Sequence, residues 1–197
     1  MKRILLIVDP QNDFITGTLA VPRAKEKMMK LADYIKANKD CYHYICVTMD
    51  SHPEDHISFK ENGGIWPKHC VTYSNGWNLP DYLEDSLMYF GNQSGKLVTC
   101  YHKGTDSKTE EYSIFDNGED GDTLDNQICD LTDDAVYVDI CGIAGDYCVL
   151  ETLKGLRKII GDRYINVLCD YTASIDGGEK LTNYLNNNDM MINTRFS

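Results

Sequence analysis

Short runs rich in β-branched and aromatic residues alternate along this chain with stretches whose apolar positions recur at helical spacing. Arg3–Val8, Tyr42–Met49, Leu97–Tyr101, Ala135–Cys141 and Ile165–Cys169 are the predicted strands, with a sixth at Met190–Thr194. After Pro22, the positions Ala24, Met28, Leu31, Ala32 and Ile35 mark one helical face. Val149, Leu153, Leu156 and Ile160 mark another, with Gly161 as its stop and Arg157 and Lys158 at its negative end. Leu181, Tyr184 and Leu185 suggest a last helix. Strands alternating with helices predict an α/β fold, a doubly wound and mainly parallel sheet flanked by helices.

Two stretches break the alternation. Ser51 to about Leu79 carries Gly63-Gly64, two prolines (three with Pro80) and His52, His56 and His69. It is too long for an ordinary strand-to-helix connection, which marks it as a functional loop. Asp116–Asp134, dense in Asp, Glu and Gly, reads as a solvated loop and the start of a helix. No repeat, low-complexity tract or linker divides the 197 residues, so one domain over 1–197 is expected.

A net charge of -12 repels phosphate backbones and anionic lipid, which argues against nucleic acid and membrane surfaces as partners. The apolar run Ile4–Val8 follows Lys2-Arg3 but stops at Asp9, too soon for a signal peptide, so a cytoplasmic protein is expected. The eight cysteines form no C-x-x-C pair and no even framework, which disfavours disulfides and a zinc ribbon. Cys46, Cys100, Cys141 and Cys169 lie in strand-like runs, where a reduced thiol packs as a small hydrophobe.

In an open parallel sheet, ligands bind at the carboxyl ends of the strands. Asp9 follows the first predicted strand, Asp50 the second, Lys103 the third, and Cys148 comes a short turn past the fourth. With strand order 3-2-1-4-5-6, Asp9 and Cys148 would face each other across the switch point. A cysteine alone is commonly just a packed thiol, but one in the first turn of a helix meets free N–H groups that favour thiolate and can receive an oxyanion. Lys103 between a carboxylate and a thiol would stabilise both anions. Asp50 and His52 share a side if the strand runs on, and with His69 they offer a carboxylate and two imidazoles, a set suited to zinc, iron or manganese. His56 reads first as a partner behind the ligands and second as a fourth ligand. Phe14 and Trp66 border these elements, and flat walls would suit a flat ring.

Five segments carry a resemblance that spans nearly the whole chain. They are Val8-Asp9-Pro10-Gln11-Asn12-Asp13-Phe14 with Gly17-Thr18-Leu19; Asp50 through Phe59; Trp66-Pro67-Lys68-His69-Cys70; Lys103-Gly104-Thr105-Asp106 through Ser113; and Gly142 through Val149. Together they resemble the nicotinamidases and pyrazinamidases of the isochorismatase-like cysteine hydrolase superfamily, with a Rossmann-type three-layer fold. The resemblance implies a catalytic triad of Asp9, Lys103 and Cys148, and metal ligands Asp50, His52 and His69. It also implies an oxyanion hole from the N–H groups of Ala144 and Cys148, and a cis peptide between Ile143 and Ala144. Phe14 and Trp66 would bracket a pyridine ring whose nitrogen a divalent ion, zinc before iron or manganese, would hold or orient. The implied activity is hydrolysis of nicotinamide to nicotinate and ammonia through a cysteine thioester, a step of pyridine nucleotide salvage, with homo-oligomerisation open. Gly145 stands where many relatives have threonine, a departure expected to loosen the turn before Cys148; Glu61 is left open as a ligand. The rival expectations are another small-amide hydrolase of pyrazinamide, carbamoyl or ureido substrates, and a metal or thiol protein without turnover.

Overall fold

The computed structural model describes residues 2–116, 118–130 and 136–190. Five parallel strands, β1 (Lys2–Val8), β2 (Tyr44–Asp50), β3 (Leu97–Lys103), β4 (Val136–Ile143) and β5 (Ile165–Ala173), form one sheet in the order β3-β2-β1-β4-β5. The chain winds outward from β1 to β3, crosses back over β1 to β4, and winds on to β5. This is the expected order over the five strands, with the switch point between β1 and β4. Of the sixth predicted strand, 191–194 lie outside the described residues.

Alternation along the strands explains why both faces are covered. Leu5 and Ile7 of β1 join one core with α2 (Ala24–Ala37) and α3 (Asp81–Ser94), through Leu31, Ile35, Leu83 and Phe90. Ile4, Leu6 and Val8 point the other way. There they meet Leu124 and Ile128 of α4 (Gly118–Asp130), Val149 and Leu153 of α5 (Cys148–Ile160), and Leu181 of α6 (Glu179–Asn187). The result is a three-layer α/β fold. Each fully buried leucine or isoleucine in it contributes about 1.5–3 kcal/mol. No helix among the described residues is long and apolar enough to cross a membrane.

Two helices were not expected in this form. The acidic segment, expected as a solvated loop with only the start of a helix, is for most of its length α4, pinned by the buried pair Leu124 and Ile128 one turn apart. Gly121 within it is a packing glycine, because a Cβ there would run into the Ile114 carbonyl. The other is α3, in a stretch whose pattern predicts no element. By contrast, the stretch after Asp50 is irregular, as expected, holding a 3-10 turn at Lys60–Asn62 and two isolated bridges. A short helix, α1 (Asn12–Ile15), follows β1.

Candidate active site

Parallel register assembles the first part of the site. Asp50 and Lys103, the last residues of β2 and β3, are register partners. Asp9, at φ 47°, turns off the end of β1 in the middle of the sheet, and Cys148 opens α5 beyond β4. All four side chains are buried. Lys103 Nζ lies 2.9 Å from Asp9 Oδ2 and 3.6 Å from Cys148 Sγ, and it donates to Asp50 Oδ1. The Thr48 hydroxyl donates to Asp9 Oδ1 at 2.7 Å. Glu111 fixes the turn after β3, its carboxylate accepting from Gly104 N–H at 2.6 Å.

Burial and charge set the protonation states. Burial pushes the Asp9 carboxyl up, against the pull of Lys103 and with the help of Asp50. Burial also acts on Asp50, but the Lys103 ammonium and the His52 and His69 rings outweigh it and hold this carboxyl well below the usual range. Lys103 resists desolvation because Asp50 and Asp9 face it, and its pKa stands well above that of a free lysine. The Cys148 thiol is driven well above its ordinary value, by burial first and by the Asp9 carboxylate against the opposing Lys103. The helix-terminus effect expected to favour thiolate is therefore overcome: a neutral thiol sits beside a carboxylate able to take its proton.

The second part of the site is a set of metal donors. Asp50 Oδ2 lies 3.7 Å from His52 Nε2 and 3.8 Å from His69 Nε2. The three donor atoms lie within 4.8 Å of one another. Two zinc bonds of about 2.0–2.2 Å at a tetrahedral angle place their donors about 3.4 Å apart, so the cluster is near the size one ion requires. The opposite ring nitrogens are both occupied: His52 Nδ1 meets Gly104 O at 2.9 Å and His69 Nδ1 meets Pro67 O at 2.8 Å. A carbonyl accepts only, so each Nδ1 carries a proton, and in the neutral ring each Nε2 offers its lone pair on the side of Asp50. Phe59 packs edge-on to both rings as an apolar backing. The residues present thus fit a divalent ion.

His56 lies behind His52. Its ring stacks on His52 with centroids 4.0 Å apart, while Nε2 meets Thr109 O and Nδ1 accepts from Ser58 N–H. Both nitrogens are therefore turned to the main chain rather than to the ion's position. Glu61 is exposed and pairs with Lys68 at 3.2 Å, away from the donors.

Above Cys148 opens a cleft lined by Phe14, Trp66, His69, Ala144, Tyr147 and others. Phe14 lies against His69, and Trp66 meets Tyr147 edge-on while its Nε1 donates to Tyr112 Oη at 3.0 Å. The Ile143–Ala144 peptide is cis, as the resemblance implied. As the first residue of α5, Cys148 has an N–H with no carbonyl of its own helix to receive it. In the turn before Cys148, the Gly145 N–H donates to Ala173 O at 2.7 Å, and a Cβ there would meet the Ser174 hydroxyl. Cleft residues that the sequence reading left without roles include Glu110, Tyr112 and Tyr147. The first two sat inside the Lys103–Ser113 segment, where an acid and an aromatic just after a strand-end lysine were available as a signal.

Comparison with known proteins yields a consistent set. No protein-family model matches the chain. The nicotinamidase/pyrazinamidase of Mycobacterium tuberculosis is 34% identical, over 88% of this chain and 87% of its own. The nicotinamidase of Saccharomyces cerevisiae is 30% identical over 92% of both chains. A solved structure of yeast nicotinamidase bound to the inhibitor nicotinaldehyde superposes with a TM-score of 0.82 at 27% identity, covering 98% of this chain and 100% of that one. The pyrazinamidase of Pyrococcus horikoshii in complex with zinc gives 0.79 at 28% identity, covering 99% and 100%. With identity at this level sustained over nearly the full length, the chain belongs to the nicotinamidase/pyrazinamidase family of isochorismatase-like cysteine hydrolases.

Proposed function

We propose that the protein hydrolyses nicotinamide to nicotinate and ammonia, with Cys148 as nucleophile, Asp9 as general base and acid, and Lys103 as their electrostatic partner. The observation that carries this reading is the buried contact of Lys103 with Asp9, Asp50 and Cys148, directly beside the Asp50–His52–His69 donors. Relatives named nicotinamidase, and related structures holding nicotinaldehyde or zinc, support it.

Asp50, His52 and His69 would hold the ion, zinc by the nature of the donors. Once bound there, it supplies a Lewis-acid anchor for a ring nitrogen. Phe14 and Trp66 flank the ring and set its plane. Asp9 takes the thiol proton as the Cys148 sulfur attacks the amide carbon, and the N–H groups of Ala144 and Cys148 receive the oxyanion. When the intermediate collapses, the C–N bond breaks and Asp9 gives its proton to the leaving amine, leaving a thioester and free ammonia. Asp9 then takes a proton from water, whose oxygen attacks the thioester carbon. Collapse releases nicotinic acid, and Asp9 returns the proton to the departing Cys148 thiolate. Lys103 keeps one positive charge beside Asp9 and Cys148 throughout.

The same reading gives one domain over 1–197 and a cytoplasmic place of work, supported by the free thiols at Cys46, Cys70, Cys141 and Cys148. The test is ammonia release from a panel of aromatic amides, with metal content measured on the same sample. Zinc-loaded protein that releases no ammonia from nicotinamide or pyrazinamide would refute the proposal.

A further inference from the structure

The stretch after β2, which bears two of the three metal donors, has little regular structure to brace it, and Asp50 sits at the very end of its strand, yet ligands must hold their geometry within about 0.5 Å to bind an ion well. The bracing comes from elsewhere in the chain. Gln11 is wholly buried. Its Nε2 donates to Asp50 O at 2.8 Å and Trp77 O at 2.9 Å, while its Oε1 accepts from Asp50 N–H at 2.8 Å. One amide side chain thus grips both main-chain groups of Asp50, as a rung of a sheet would.

Two residues on, Asp13 does the same for the other ligand-bearing segment. Its Oδ2 accepts from Cys70 N–H, next to His69, at 2.8 Å, and its Oδ1 accepts from Thr18 N–H at 3.1 Å. The Asp13 N–H donates to Gly76 O at 3.0 Å, and a Cβ on Gly76 or Gly17 would collide with the Asp13 side chain. Neither Gln11 nor Asp13 touches the donor atoms themselves.

We infer that Gln11 and Asp13 are positioning residues of the metal site, fixing Asp50 and His69 to the same loop that carries Asp9. The inference rests on the metal reading given above. It makes base and ion-binding donors one rigid unit, so that a ring held at the ion stays in register with the carboxylate that moves the protons.

The experiment uses the full chain, with Gln11→Leu, Asp13→Asn and, as a control of similar stability loss, Ile35→Ala in the remote α2 core. Zinc affinity is measured by competition with a chromogenic chelator, alongside thermal unfolding and kcat and KM for nicotinamide. Loss of a group behind a metal ligand costs about 10–100-fold in affinity, which is the fall expected for Gln11→Leu and Asp13→Asn. KM should rise more than kcat falls, since Cys148 and Asp9 keep their own contacts. The Ile35→Ala protein should bind zinc as the wild type does. Wild-type zinc affinity in both folded variants, or an equal loss in the control, would overturn the inference. Should Gln11→Leu fail to fold, Gln11→Glu keeps the acceptor for Asp50 N–H, removes both donations and carries the same expectation. Zinc binding is read without substrate, so wild-type protein that binds zinc but spares nicotinamide would defeat the proposed reaction and leave this inference standing.

Discussion

Lys103 and Asp50 face each other across the last rung of β2 and β3, with the ammonium donating to the carboxylate and Asp9 on its other side. Two buried carboxylates thus share one buried cation. Removing the cation leaves them uncompensated, and breaking a buried pair in this way costs about 3–5 kcal/mol. Lys103→Met, which keeps the length of the side chain, should lose that much stability in a denaturant titration and lose turnover as well. A variant as stable as the wild type would show that the charge is not needed to hold the site together.

Cys148→Ala should abolish ammonia release while leaving the unfolding midpoint nearly unchanged. Cys46→Ala makes the contrasting case, since Cys46 is buried in the β2 core away from the cleft. It should cost about 1 kcal/mol through a small cavity and leave kcat/KM intact. Activity surviving in the Cys148 variant would remove the thioester from the mechanism.

The state of Asp9 sets the pH profile. The carboxylate must be ionised to accept the thiol proton, and burial raises its pKa, so activity is lost as pH falls through that raised value. The acid limb of kcat/KM should therefore have its midpoint above the ordinary aspartate value of about 3.9. No alkaline loss from Cys148 ionisation is expected near pH 8, because burial holds that thiol well above its ordinary range. Asp9→Asn should abolish both acylation and deacylation while retaining zinc. An acid limb at or below the ordinary value would mean that Asp9 is more solvated than its surroundings imply.

Nicotinamide and benzamide share the scissile amide and differ by one ring nitrogen. If the Asp50–His52–His69 site orients that nitrogen, benzamide should suffer in kcat/KM by about 10²-fold or more. Pyrazinamide, which keeps a nitrogen at the matching position, should remain a substrate. Chelation or His69→Ala should reduce nicotinamide hydrolysis far more than benzamide hydrolysis. Equal rates for the two amides with zinc-loaded protein would return the donor cluster to a structural role.

The sequence was most legible where burial and periodicity agree. The strand ends at Asp9, Asp50 and Lys103 could be read because each apolar run stops on a charged residue that the parallel sheet then carries to one edge. The helix α3 was not, although Leu83, Leu87 and Phe90 lie at helical spacing and are buried. Met88 and Tyr89 are exposed on the same helix and spread its apolar positions beyond one stripe. The acidic density of α4 hid a helix whose burial rests on few positions, Leu124 and Ile128 chief among them. Gln11 and Asp13 lay in plain view inside the first motif, but what they hold is main chain 39 and 57 residues away, a relation no local pattern encodes.

The site's two halves have different origins along the chain. Asp50, His52 and His69 come from one contiguous segment, whereas Asp9 and Cys148 meet only because β1 and β4 are neighbours across the crossover. Between its anchors, Asp50 at the end of β2 and the braces from Gln11 and Asp13, the ion-binding half is therefore a stretch that could be rewritten while β1, β4 and α5 keep their places. The acyl-transfer half admits no such substitution, since separating its two members means taking apart the centre of the sheet. Substrate choice on this scaffold can accordingly drift by loop replacement, with the thiol chemistry inherited unchanged.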